Sequence, residues 1–489
     1  MSKKETSFAG VRSVAKNTAF LTATRGINMA TRMVYIILVA RLLGPELYGL
    51  LAFSQSWYLA FLPIGIFGLG DIVLRTIAMH PSQAGDIAAK SLSIHLVMAT
   101  AASIICAVLA WIILPDSDAP LLISVLALAL IGRTLSAWAD NLFVAFDTGN
   151  NILRHEVFFR FAELIAAIVI LLLGGKLLLL AALHAIVWWA HAARGIFVVR
   201  RDLLPVHVAW NPSTLIQVAL SGIPFLIIAF AVSWMMLGPI VLFHGLAETD
   251  LVFSQYTLAM QILFIAAMLP ISLGHAAQPV VTRAAKRGDG RDLVYAHVIL
   301  RLSFILGSVT GLVGLTFGPW LIEFLFGEKF TLAGQLVGLS LWCLIPIFGT
   351  SAFPTVILAR GHFRILMFAA VTGALTMTCI LPLLAVAFGS RGAIVAVGFG
   401  YIASLMVTST FTAKAGWANP FATMFRPLIV TIITVAAYLS LAAVSKWLAF
   451  PAAILILIAG SLALKVVTKE EQAFLISVWR KKGTQADNH

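Results

Sequence analysis

The chain has 489 residues, 61% of them hydrophobic and 11% charged, with a mean hydropathy of +1.00. Soluble domains carry about 45–50% apolar and about 25% charged residues, so a water-soluble globule is excluded; at about 20 helical residues per crossing, so is a large catalytic domain outside the bilayer. A net charge of +13 would suggest nucleic acid in a soluble protein, but here the basic residues crowd short loops and read as a topology signal instead.

The opening Met1–Lys16 is polar and basic. The apolar run behind it is too long for a signal-peptide core and lacks a small-residue cleavage site, so no cleavable signal is expected. Apolar runs of about 17 residues or more then give fourteen predicted membrane helices. They cover 18–40, 47–74, 91–114, 121–143, 157–173, 177–199, 214–243, 251–275, 296–318, 331–358, 365–388, 392–412, 427–445 and 448–467. Only Gly174-Gly175-Lys176 divides the fifth from the sixth, and only the region of Lys446-Trp447 divides the last two.

The first predicted helix carries Arg25 and Arg32, seven positions apart and therefore on one face. No acid in that helix neutralises them. A charge at the centre of a span costs about 2.5–3.5 kcal/mol on insertion scales and normally faces the bundle interior or a water-filled cavity. The second helix contains Pro63, Gly65, Gly68 and Gly70 and closes on Asp71 and Arg75, an i, i+4 pair. The fourth places Arg133 close to the midplane, with Asp140 seven residues further on. The fifth pairs Arg160 with Glu163 in sequence, and the sixth holds His184 and His191, which read as packed rather than ligating. Gly222, Pro224, Gly238 and Pro239 interrupt the seventh and Pro270 the eighth. Such breaks free backbone carbonyls that must face protein or water; they fit an alternately opening gate and equally fit static packing.

Guanidinium groups grip phosphate by charge-assisted, bidentate hydrogen bonds, so Arg25 and Arg32 point to an anionic ligand, phosphate first. Arg133 has two readings, a third anion ligand or an ion pair with Asp140. Asp71, Arg75, Asp140 and Glu163 also have two: coupling or gating groups, or local pairs with Arg75, Arg154 and Arg160. Cys106, Cys343 and Cys379 lie in apolar runs and are expected to be small buried hydrophobes. No His, Cys and acid cluster has metal-ligand spacing, so neither metal nor cofactor is expected.

Charge in the loops fixes the predicted orientation. Of the 33 Lys and Arg, 25 fall in one set of alternate loops and tails, five in the opposite set, and Arg25, Arg32 and Arg133 inside spans. That asymmetry puts both termini in the cytoplasm. A short repeat supports an even number of helices per half: Phe53-Ser54-Gln55 recurs as Phe253-Ser254-Gln255, each followed in its helix by Pro, at Pro63 and Pro270. The resulting expectation is an all-α integral membrane protein with two six-helix lobes, 1–201 and 214–413. The lobes are joined by a cytoplasmic linker at 202–213 and related by a pseudo-twofold along the membrane normal with a cavity between them. Helices 13 and 14 over 414–470 and a cytoplasmic tail at 471–489 follow.

The stretch Ala40-Arg41-Leu42-Leu43-Gly44-Pro45-Glu46-Leu47-Tyr48-Gly49-Leu50-Leu51-Ala52 resembles the first-loop signature of bacterial polysaccharide flippases of the Wzx type. These belong to the multidrug/oligosaccharidyl-lipid/polysaccharide exporter superfamily. Gly68-Leu69-Gly70-Asp71-Ile72-Val73-Leu74-Arg75, Gln278-Pro279-Val280-Val281-Thr282-Arg283 with Gly288-Asp289, and Phe326-Gly327-Glu328-Lys329-Phe330 with Ala333 extend the likeness over most of residues 15–420. The resemblance implies a bacterial inner-membrane flippase. Its cargo is oligosaccharide linked to undecaprenyl pyrophosphate, handed outside to a polysaccharide polymerase or export machinery. In the related lipid II flippases first-helix arginines are implicated in pyrophosphate binding, and Arg25 and Arg32 are the nearest equivalents here.

A cation-coupled multidrug exporter on the same scaffold is the alternative, though its cavity would favour acids over these arginines. External loops of about ten residues or fewer, without paired carboxylates, argue against a membrane polymerase or ligase. No P-loop, dinucleotide fingerprint or Ser/His/Asp arrangement is present. The chain therefore reads as a transporter and not an enzyme.

Overall fold

The computed structural model describes the backbone of residues 3–209, 212–288 and 290–466, and their side chains except at 3–19, 21–22, 71, 212–215, 217–218, 269–277 and 279–280. The tail predicted at 471–489 lies outside the described residues. Among the described residues there are helices and no strands, as hydrocarbon demands of a span that is not part of a closed barrel.

The first helix, α1 (Lys3–Leu43), stops at Gly44, which takes φ 78° so that Pro45 can open α2 (Pro45–Ala60). The second predicted span continues as α3 (Leu62–Ile66) and α4 (Leu69–Met79), because Pro63 starts a new turn and Phe67 and Gly68 are both left-handed. Then come α5 (Ala84–Ile113), α6 (Ala119–Ala145), α7 (Gly149–Leu172), α8 (Leu177–Val198), α9 (Pro212–His244), α10 (Asp250–Arg287) and α11 (Arg291–Phe326). The tenth predicted span is broken into α12 (Thr331–Ser340), α13 (Leu344–Gly349) and α14 (Ala352–Ala359), and α15 (Phe363–Lys414), α16 (Pro420–Ala442) and α17 (Lys446–Ala463) close the series.

Twelve helical stretches are long and apolar enough to cross a membrane. One of them, the 52-residue α15, is two helices meeting at Gly389 (φ 59°, ψ −142°), where the sequence predicts the division between 365–388 and 392–412. The 24-residue α7 falls outside the twelve because Arg154, Glu156, Arg160 and Glu163 lie within it. It starts at Gly149 rather than 157, which carries Arg154 and Arg160 out of the predicted loop and into the helix. Counting α15 twice and including α7 accounts for the fourteen predicted crossings.

Two compact units form. One comprises residues 1–245 with 249–257 and 325–329; the other comprises 246–248, 258–324 and 330–489. The first is centred on α5, α6 and α8, where Trp138, Leu142, Phe143 and Ala88 are almost wholly buried. In it the two Phe-Ser-Gln copies meet. The Phe53 and Phe253 rings are 5.8 Å apart and edge-on, and His244 stacks on Phe53 at 4.0 Å. Ser254 Oγ donates to the Pro45 carbonyl at 2.5 Å. The second unit packs Phe353, Val356 and Ile357 of α14 against Leu300 of α11. Its α16–α17 hairpin docks on α11 through Leu312, Tyr438, Ala449 and Ala453. Hydrogen bonds Ser308–Thr431 and Thr316–Tyr438, both 3.0 Å, supply the interhelical polar contacts useful where lipid offers no hydrophobic drive.

Large apolar side chains cover the outside; Val386 and Val444 are 80% and 84% exposed. That surface is a liability in water and a solvent match in lipid. Cys106 and Cys343 are buried as expected, but Cys379 is exposed, because it falls on an outward face of α15.

Candidate functional site

Within the first unit, α1, α2, α6, α7 and α8 bring charged and aromatic side chains together. Gly132 starts the arrangement: a Cβ there would stand 2.7 Å from the Trp188 carbonyl carbon. Only glycine lets α6 and α8 approach so closely. The next residue, Arg133, then reaches the Trp188 ring, with its guanidinium carbon 4.5 Å from the ring centroid. Arg160 of α7 also stacks on that ring at 4.2 Å. Two guanidinium groups on one indole are held by cation–π attraction, which strengthens as water is excluded.

A hydrogen-bonded chain runs beside them. Arg133 bonds the Tyr58 hydroxyl, Tyr58 Oη lies 2.6 Å from His184 Nε2, and His184 Nδ1 lies 2.5 Å from Glu163 Oε1. Arg160 Nη1 donates to Glu163 Oε2 at 2.5 Å, and its Nε stands 3.3 Å from Glu156. Burial demands such pairing, since a lone carboxylate or guanidinium in low dielectric is expensive.

Arg32 contrasts with this. It is surrounded by protein and within electrostatic reach of Arg133, Tyr48 and Tyr58, all of them on α2 or α6. Yet its side chain is exposed. It therefore projects into open space inside the helix cluster, not into lipid. Arg25 is also exposed, about 10.5 Å along α1 by helical rise. Among the described residues, no ion pair or hydrogen bond holds the side chain of Arg25 or Arg32.

The other sequence candidates fall in different places. Asp140 is half-buried on α6 and makes no ion pair with Arg133 among the described residues; its electrostatic neighbour is Glu156. Glu163 has Arg160 as one partner, and its second, His184, read in sequence as merely packed. Arg75 is exposed on α4, and the Asp71 side chain lies outside the described ones. Sequence reasoning gave no role to Tyr58, Trp188 or His184. Glu163 and His184 lie about equally far from the Gly174-Gly175 turn, so an antiparallel α7–α8 hairpin places them level. That spacing was a usable signal.

No metal-binding group of three or more His, Cys, Asp or Glu exists among the described residues. The arrangement suits an anion: one free guanidinium facing open space, and a second held by a tyrosine and an indole beside it.

Comparison with known proteins gives the fold. The chain is similar to the lipid II flippase MurJ in an inward closed conformation, at 14% identity and a TM-score of 0.63, over 93% of this chain and 99% of that one. It is similar to an inward-facing multidrug resistance MATE transporter of the MOP superfamily, at 13% identity and a TM-score of 0.59, over 81% and 94%. A MOP-superfamily transporter from Pyrococcus furiosus, described as having a binding pocket of reverse polarity, matches at 14% and 0.56, over 82% and 95%. No curated protein matches in sequence. Residues 14–285 match the family described as "Polysaccharide biosynthesis protein". Family and fold are those of membrane transporters and flippases rather than enzymes, and the chain belongs to the polysaccharide biosynthesis protein family.

Proposed function

We propose that the protein flips polyprenyl-pyrophosphate-linked oligosaccharide, with undecaprenyl as the polyprenyl, from the inner to the outer leaflet of the bacterial cytoplasmic membrane. It works by alternating access, with residues 1–201 and 214–413 as lobes and both termini in the cytoplasm. Arg25 and Arg32 take the pyrophosphate and Arg133 assists from α6, while the sugars stay in water and the lipid tail stays in the bilayer. Asp71, Arg75, Asp140 and Glu163 are the groups assigned to coupling or gating. A polysaccharide polymerase or export machinery receives the product outside.

One observation carries this reading: the Arg32 side chain stands exposed beside Arg133 without an acid of its own. An unneutralised guanidinium is costly in a membrane protein, and a diphosphate is the partner that repays it by bidentate hydrogen bonds. A site for cationic drugs would carry acids there instead. The membrane potential favours the outward step, since each charge moved through 100 mV is worth about 2.3 kcal/mol and pyrophosphate carries more than one.

The experiment is complementation of a strain lacking this gene. Arg25→Gln with Arg32→Gln is expected to give membrane-inserted protein and no surface polymer. Normal polymer from the double variant removes both residues from the site, and hypersensitivity of the deletion strain to cationic drugs with polymer intact favours the multidrug exporter.

A further inference from the structure

A carboxylate only accepts hydrogen bonds, so the contact between Glu163 Oε1 and His184 Nδ1 fixes the histidine proton on Nδ1. Nε2 is then an acceptor, and Tyr58 donates its O–H to it across 2.6 Å. The lone pairs of Tyr58 Oη are left for Arg133, which bonds that side chain. Every donor in the series Arg133, Tyr58, His184, Glu163 therefore points the same way. Reversing one link reverses what the next can offer.

We infer that His184 takes up a proton when a phosphate-type dianion binds at Arg32 and Arg133, so that anion affinity at this site is set by pH. The inference rests on the anion-carrying role proposed above. The proton comes from water in the open space beside Arg32 and forms an N–H bond at His184 Nε2. Tyr58 keeps its own proton but becomes an acceptor toward His184, and its O–H turns away. Two donors, Arg133 and His184, then compete for one phenolic oxygen. Arg133 is freed toward the anion, and the Tyr58 hydroxyl becomes a further donor on the same side.

The surrounding charges set the sign. Arg133 on α6 and Arg160 on α7 oppose a second positive charge at His184, and Arg32 on α1 adds to that opposition. Glu163 favours it from α7, with Glu156 behind Arg160. Tyr58 on α2 and Tyr35 on α1 are neutral neighbours of this cluster. His191, on the same helix as His184, is screened by the intervening Trp188 ring, and His155 packs on His191. Asp140 faces Glu156 rather than His184. Without an anion, three guanidinium groups outweigh two carboxylates and His184 stays neutral. A bound dianion reverses that balance, and histidine is the side chain whose ordinary titration falls between about pH 5 and 8. By linkage, what the anion does for the proton the proton does for the anion.

The test is calorimetric titration of the purified full-length protein with inorganic pyrophosphate across that pH range, in buffers of different ionisation heat, for wild type and His184→Gln. Subtracting the variant removes the titration of pyrophosphate itself. Wild type is expected to bind about tenfold tighter at the acid end than the variant-corrected baseline, taking up about one more proton than His184→Gln near neutrality. Sulfate, which does not titrate in this range, gives the same proton count from wild type alone should the variant fail to fold. Pyrophosphate binding with equal proton uptake in both proteins, or sulfate binding with none, overturns the inference and leaves the proposed function standing. No binding of pyrophosphate at any pH brings down both.

Discussion

Gly132 and Trp188 meet at the backbone, with room for a hydrogen on Gly132 and none for a carbon. That closeness between α6 and α8 is what lets Arg133 and Arg160 share one indole ring. The site is thus built by a small residue before it is built by charged ones.

Gly132→Ala is accordingly expected to cost about 1–3 kcal/mol, as overpacking does, and to displace Trp188 from under Arg133. Thermal unfolding in detergent should show the loss. Gly26→Ala is the control, because a Cβ there meets nothing within 4 Å. In a helix interior it should be neutral or stabilise by about 0.5–1 kcal/mol. Equal behaviour of the two variants would mean that the α6–α8 approach is not tight.

Glu163→Gln removes the charge that balances Arg160 and leaves the guanidinium beside a neutral amide. Breaking a buried pair from one side costs about 3–5 kcal/mol; Glu156, 3.3 Å from Arg160, holds the loss to the low end. A thermal shift assay measures it, and an unchanged midpoint would show that Glu163 bears no buried charge.

In the second unit, Arg360 donates from Nε to Asp292 Oδ2 at 2.9 Å, with Nη2 at 2.7 Å, and lies over the Trp417 ring. Asp292 is 1% exposed. Asp292→Asn should lower stability by about 3 kcal/mol or more. The surviving folded fraction should transport at the wild-type rate per molecule, since nothing in this pair belongs to the proposed anion site. A variant of full stability but no transport would assign the pair a functional role.

Much of this architecture was legible in the sequence, because hydrocarbon imposes a strict length and charge rule on each helix. The break at Gly389 and the interrupted second span follow from glycine and proline positions. The Phe-Ser-Gln repeat marked two segments that turn out to touch. Partner choice was less legible. Asp140 and Arg133 share a helix face seven residues apart, yet the acid that reaches Arg133 electrostatically is Glu163 from α7. Pairings such as Tyr58 with His184 depend on how helices rotate about their axes, which the composition of each helix leaves open. Cys379 failed for a related reason: an apolar residue in a membrane protein has two apolar places to go.

A Cβ on Gly49 would fall 2.7 Å from Ser254 Cβ, so α2 and the start of α10 close on each other without space for a side chain. Gly49→Leu should wedge them apart. Transport is expected to fall at least tenfold, about 1.4 kcal/mol in barrier, with folded protein present. A cysteine placed at Ser254 should then react faster with a membrane-impermeant maleimide. Unchanged labelling and transport would show that this contact does not move in the cycle.

The most direct measurement is translocation of a fluorescent polyprenyl-pyrophosphate oligosaccharide in proteoliposomes containing wild type or Arg32→Gln protein. Wild type is expected to move the lipid between leaflets, and Arg32→Gln to lose at least tenfold of that rate, matching one charge-assisted hydrogen-bonded contact of about 1.5–3 kcal/mol, while retaining the wild-type unfolding midpoint. Equal rates for both proteins would contradict the account at its centre, because the guanidinium that stands without a carboxylate would then be carrying nothing.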